Sequence, residues 1–142
     1  MRMTELVRIV IDTNVLISAG LLPLSRTAEA VAMAAEHFEI AQNAETWHEL
    51  ETRIARKKFD RYFGPGGRSR HLTRITRSVR FFPSVSTQTI SRDHDDDKFI
   101  NLAIDAGAKL IISGDADLLT LGTCRGIQIL SPAQFLERMQ SR

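Results

Sequence analysis

Val7-Arg8-Ile9-Val10-Ile11-Asp12-Thr13-Asn14 is an apolar run that stops at an acid. Such a run, bounded by polar residues, predicts a short buried β-strand. A second run, Lys109-Leu110-Ile111-Ile112-Ser113, leads into Gly114-Asp115. Neither strand shows a clean polar face, as expected of a parallel sheet covered by helices on both sides. In open α/β sheets, ligands bind outside the carboxyl ends of the strands. Asp12 and Asp115 thus reach one sheet edge from two independent strands. A carboxylate there is poorly placed for packing and well placed for chemistry.

Outward from these runs the chain alternates. Helices are expected over 14–19, from an N-cap at Ser25 to about Glu36, and from Asn43 or Thr46 to about Lys58. Further helices are expected over 70–78, over 95–106 closed by Gly107, over 115–121, and from Pro132 onward. Strands are expected over 38–41, 79–82 and 127–130. Gly64-Pro65-Gly66-Gly67 reads as a turn, and residues 83–91 as a polar connector. This alternation argues for an α/β fold with a central parallel sheet. No repeat and no long linker divides the chain, so residues 1–142 are read as a single domain.

The length of 142 residues suffices for a sizeable core. One cysteine, Cys124, excludes an intrachain disulfide and suits a reducing, cytoplasmic setting. No stretch approaches the roughly 20 apolar residues of a membrane helix. Met1-Arg2-Met3-Thr4-Glu5 lacks a signal-peptide layout. The net charge of +2 hides an asymmetry. Ten Lys or Arg residues and one acid, Asp60, lie between Arg53 and Arg80, against nine bases and sixteen acids elsewhere. A solvated helical face would explain the basic stretch, but an acidic site acting on a polyanion needs something nearby to attract it.

Three acidic clusters follow Asp12: Glu49 with Glu51, Asp93 through Asp97, and Asp115 with Asp117. Helical spacing sets Phe99, Leu102, Ala103 and Ala106 on one face. Asp96 lies near that stripe, and Asp97 points away from it. Asp93, Asp95 and Asp97 are read as capping or solvent-exposed. In the preceding helix, Trp47, Leu50 and Ile54 form the apolar stripe, and a simple wheel favours Glu51 over Glu49 as the inward acid. Converging carboxylates raise one another's pKa unless a cation intervenes. An all-oxygen donor set suits Mg²⁺ or Mn²⁺. Zinc is disfavoured, because His37, His48, His71 and His94 show no ligand spacing.

Ile11-Asp12-Thr13-Asn14-Val15, Glu49-Leu50, Arg92 through Phe99, and Ser113-Gly114-Asp115-Ala116-Asp117-Leu118 together resemble the acidic motifs of PIN-domain ribonucleases. The similarity is greatest to the branch known as toxins of toxin–antitoxin systems. Arg56-Lys57-Lys58-Phe59 resembles that branch's Arg-Pro-Lys-Phe stretch, with Lys57 in place of proline. The resemblance implies a three-layer α/β/α sandwich. It implies that Asp12, Glu49, Asp96 and Asp115 are the catalytic acids and bind Mg²⁺ or Mn²⁺, with Asp117 as an auxiliary metal acid. On this point it overrules the wheel, since the family's acid precedes a leucine as Glu49 precedes Leu50. Thr13, Asn14 and Ser113 would orient carboxylates or water. A homodimer and an inhibitory antitoxin partner are implied as well.

The expectation is therefore a metal-dependent endoribonuclease whose water attack leaves a 5′-phosphate and a 3′-hydroxyl. Arg53, Arg56, Lys57, Lys58, Arg68, Arg70, Arg74 and Arg77 would hold the RNA backbone. One rival is a catalytically silent nucleic-acid-binding module on the same fold. Another is a haloacid-dehalogenase-type phosphohydrolase, which needs a second aspartate where Asn14 stands.

Overall fold

The computed structural model describes residues 7–91 and 93–141. The residues read for a signal peptide, Met1 through Glu5, lie outside the described residues, as does Arg92 of the acidic motif.

Strand β1 (Arg8–Ile11) leads through Asp12 into helix α1 (Thr13–Leu21), a longer helix than the sequence suggested. Helix α2 (Arg26–His37) starts on Ser25, whose hydroxyl accepts the Ala28 N–H, and β2 (Glu39–Gln42) follows. Helix α3 (Ala44–Ile54) opens with a reciprocal capping box between Asn43 and Thr46. It ends four residues short of Lys58, and Lys57–Phe59 form a separate 3₁₀ turn. The Arg68 guanidinium explains that break: Nε donates to the Ile54 carbonyl at 2.6 Å and Nη2 to the Arg56 carbonyl at 3.1 Å. Both are carbonyls that a continuing helix would have used.

Helix α4 (Gly67–Thr76) and β3 (Val79–Phe81) come next, then the extended connector. A 3₁₀ turn (His94–Asp96) runs directly into α5 (Asp97–Ala106), which Gly107 closes in the left-handed conformation. Strand β4 (Leu110–Ile112), helix α6 (Ala116–Leu121), strands β5 (Thr123–Cys124) and β6 (Ile127–Leu130), and helix α7 (Pro132–Gln140) complete the order.

The six strands lie in the order β3-β2-β1-β4-β6-β5. All pairs are parallel except β5–β6, so the sheet is mixed where a purely parallel one was expected. The added strand is two residues long and turns back through Arg125 (φ 51°) and Gly126 (φ 78°). Two consecutive positive φ values are the hairpin geometry whose twist matches paired strands.

Side-chain alternation divides the core in two. Ile9, Ile11, Ile40, Leu110 and Ile112 meet α1, α2, α3, α4 and α7 on one face. Val10, Ala41, Ile111 and Ile129 meet α5 and α6 on the other. The result is a three-layer α/β/α sandwich. From β1 the chain passes to β2 and β3 on one side, then crosses to β4 and β6 on the other. The crevice outside the carboxyl ends of β1 and β4 is the topological switch point of the sheet. Among the described residues, no single helix is long and apolar enough to cross a membrane.

Candidate metal centre

Asp12 directly follows the last residue of β1 and is the N-cap of α1. Its N–H donates to the Ile112 carbonyl at 2.9 Å, and its own carbonyl accepts the first helical N–H groups. Its side chain is 4% exposed. Oδ1 accepts the Asn14 N–H at 3.0 Å, and Oδ2 accepts the Ser113 hydroxyl at 2.7 Å. Burial raises the Asp12 pKa; these hydrogen bonds oppose the rise, and the charges of Asp115 and Glu49 add to it. The Ser113 oxygen also accepts the Asp115 N–H at 3.0 Å. Asp115 in turn caps α6, accepting the N–H groups of Asp117 and Leu118 at Oδ1. One buried hydroxyl thus ties together the ends of β1 and β4.

Asp96 is buried, and its Oδ2 has no hydrogen-bond partner. Its pKa is pushed up from 3.8 to about 7, first by burial and then by the nearby Asp115 carboxylate, with Asp93 and Asp12 contributing. Carboxylate oxygens of Asp93, Asp96 and Asp117 lie within 4.8 Å of one another.

Asp93 is the member of this group that periodicity missed. It does cap, accepting the Asp95 N–H at 3.0 Å, but it also joins the acidic cluster. The reason is local. Helical angles counted from Asp95 assume α geometry, whereas residues His94–Asp96 form a 3₁₀ turn. In a 3₁₀ turn, residues three apart eclipse, so Asp93 stacks on Asp96. Asp97 also differs from its solvent-exposed reading. It is buried and accepts the N–H groups of Ile90 at 3.1 Å and Ser91 at 2.6 Å, anchoring the connector. Burial works against its charge, but these bonds and the His94 contact hold its pKa below the usual carboxylate range.

Glu49, not Glu51, faces the crevice. Its oxygens accept from the Thr13 hydroxyl and pair with Lys98 and, at 3.2 Å, with Arg53. Burial opposes its charge, yet the bonds from Lys98 and Thr13 and the charges of Lys98 and Arg53 lower its pKa. The wheel erred because the buried stripe is Thr46, Leu50 and Ile54, with Trp47 to one side. Thr46 counts as polar in sequence but is buried through its bonds to Asn43 and Gln42. Glu49 stands outside the three-acid cluster, although its charge reaches Asp12.

Of the basic residues, Arg53 lies at the crevice, with Nη1 at 3.5 Å from Asn14 Oδ1. Arg56, Lys57 and Lys58 are exposed around the 3₁₀ turn, as are Arg70 and Arg74 on α4 and Arg77 at its C-cap. Arg68 is engaged internally, by the two carbonyls above and by Asp60 at 2.7 Å.

Asp12, Asp93, Asp96, Asp115 and Asp117 thus gather at one rim. An unpartnered buried carboxylate oxygen and a pKa raised by burial and then by like charge are what a resident cation would relieve. The donors are all oxygen, which fits a hard divalent ion such as Mg²⁺ or Mn²⁺.

Residues 8–117 match the family model described as PIN domain. The chain belongs to the PIN domain family. PIN domains are generally nucleases, and the acidic cluster is compatible with the divalent metals they usually use. This PIN domain is 31% identical over 117 residues to the uncharacterized protein MJ1680 of Methanocaldococcus jannaschii, covering 81% of this chain and 75% of that one. Its fold is similar to the crystal structure of PAE2754 from Pyrobaculum aerophilum, with a TM-score of 0.53 and 17% identity over 96% of this chain and 91% of the other.

Proposed function

We propose that this PIN domain is a Mg²⁺- or Mn²⁺-dependent endoribonuclease, the toxin of a toxin–antitoxin pair. The observation that carries the reading is the buried, unpartnered Asp96 oxygen among Asp93, Asp115 and Asp117 at the switch point. Asp12, Asp93, Asp96, Asp115 and Asp117 are the residues that would hold the ion, with Glu49 facing them from α3. Such an ion supplies an activated water and neutralises the departing oxyanion of a phosphodiester.

The chain's own groups do the positioning. Ser113 and the Asn14 N–H fix both oxygens of Asp12, and Ser113 sets the backbone of Asp115. Thr13, Lys98 and Arg53 fix Glu49. Lys98 and Arg53 thereby stand as paired cations beside the acids, where a phosphate of the substrate would lie. Arg56, Lys57, Lys58, Arg70, Arg74 and Arg77 would hold more distant phosphates through charge, which makes binding salt-dependent. The toxin role adds two proposals: a homodimer, and an antitoxin that covers the basic surface.

The purified protein with Mn²⁺ and single-stranded RNA is the test. Products with 5′-phosphate ends, lost on adding EDTA and absent with Asp12→Asn, are expected. Cleavage that persists in EDTA would overturn the mechanism.

A further inference from the structure

Among the described residues, the connector 83–91 makes no backbone–backbone hydrogen bond and is held through side chains instead. Three of these side chains recur every four residues along α5 and so share one face. Asp105 accepts the N–H groups of Val85 at 2.9 Å and Ser86 at 3.0 Å. Asn101 accepts the Gln88 N–H at 2.8 Å and donates its amide to the Gln88 carbonyl at 3.1 Å. Asp97 accepts both Ile90 and Ser91 N–H groups at Oδ1, while its Oδ2 lies 3.2 Å from His94 Nδ1. Asp97 differs from the other two in what it holds. Its partners stand on both sides of Asp93 in the chain, Ile90 and Ser91 before it and His94 after it. Asp93 itself is exposed, and among the described residues its side chain accepts only from the Asp95 N–H.

We propose that Asp97 is a positioning residue for the metal centre: by clamping the chain on either side of Asp93, it presents that carboxylate to an ion shared with Asp96 and Asp117. The proposal rests on the metal-dependent reading above and adds a residue that touches neither ion nor substrate. Asp97 directly follows Asp96, so one helix start carries one cluster acid and grips the loop that carries another. A ligand on a free loop loses conformational freedom when the ion binds, and affinity falls accordingly. Groups that orient a metal ligand from outside the coordination sphere therefore count toward affinity. A plain first-turn acid, favoured there by the helix N-terminus, would be satisfied facing water. Asp97 is instead buried against the two N–H groups it accepts.

The experiment titrates Mn²⁺ calorimetrically into the full metal-free chain and its variants, each checked for folding by circular dichroism. Asp97→Ala removes both charge and clamp, and Mn²⁺ affinity should fall about 10–100-fold. Asp97→Asn removes the charge but keeps an acceptor for the two N–H groups, so it should recover most of that loss. Asp105→Ala frees the far end of the same connector and should leave the affinity unchanged. If Asp97→Ala does not fold, Asp97→Ser takes its place, since serine suits a helix start and its shorter side chain cannot hold both N–H groups. Equal losses in Asp97→Ala and Asp97→Asn would trace the effect to charge and overturn the clamp. Equal losses in Asp97→Ala and Asp105→Ala would trace it to general loosening of the connector and overturn it as well. Unchanged affinity in Asp97→Ala, beside normal binding by the unaltered chain, overturns the positioning role and leaves the metal centre standing. No Mn²⁺ binding by the unaltered chain overturns both.

Discussion

Ser113 donates its hydroxyl to Asp12 at 2.7 Å, bridging 101 positions of the sequence at the heart of the switch point. The same oxygen accepts from the Asp115 N–H, so a single small side chain sets the geometry between Asp12 and Asp115. Ser113→Ala should leave a buried carboxylate oxygen and an N–H without partners. The expected losses are about 1–3 kcal/mol of stability by urea unfolding and about 10–100-fold in Mn²⁺ affinity by calorimetry. Unchanged metal affinity would show that Ser113 only supports the fold.

Asp96 makes stability depend on pH in an unusual direction. Its carboxyl releases its proton near pH 3.8 when unfolded but only near pH 7 in the fold. Across that window the native state binds more protons, so the contribution of Asp96 to stability falls as pH rises and is fully lost above about pH 7. Asp12, also raised, acts in the same sense. In EDTA, Asp96→Asn should therefore be more stable than the unaltered protein at pH 8, with the gap closing toward pH 4. Urea midpoints at the two pH values decide this, and a pH-independent gap would contradict it. A site that is costly without its ion is a common trade of stability for function.

Glu49 and Glu51 should behave differently although they are two residues apart. Glu49→Gln removes the partner of two cations, one of them the largely buried Lys98. A loss of about 1–3 kcal/mol is expected. Glu51 is exposed and makes no ion pair among the described residues. Glu51→Gln should stay within about 0.5 kcal/mol. Parallel denaturation curves check both, and equal effects would mean that α3 is rotated from the orientation described.

Gly20 carries a packing constraint. A Cβ at this position would stand 2.6 Å from Cδ2 of His71, whose ring is buried and pinned by its bond to the Leu16 carbonyl at 2.9 Å. Gly20→Ala gains about 1 kcal/mol of helix propensity, but overpacking costs about 1–3 kcal/mol. A net fall in thermal midpoint is expected, and His71→Ala in the same chain should relieve it. A rise in midpoint for Gly20→Ala alone would show that α4 moves freely away from α1.

The main layers of this fold were legible because burial leaves a plain trace. Val10 and Ile111 face one core while Ile9 and Ile112 face the other, and only a doubly covered strand tolerates both. Caps at Ser25 and Asn43, and Pro132 in a first turn, marked helix starts through local chemistry that the sequence alone specifies. What escaped depended on geometry that no window of residues reveals. The 3₁₀ turn that brings Asp93 onto Asp96 is stacked differently from the α-helix it feeds. Thr46 turns inward only because Gln42 and Asn43 satisfy it. Arg68 looks like one more base in a basic run, yet it clamps carbonyls contributed fourteen and twelve residues away. The β5 hairpin is too short to carry a pattern.

Titration of Mn²⁺ into metal-free protein, compared with Asp96→Asn, tests most directly whether these acids share a cation. A saturable heat for the unaltered chain, and its loss in a variant that denaturation shows to be folded, is the predicted result. No heat from the unaltered protein, or the same heat from both, would contradict it.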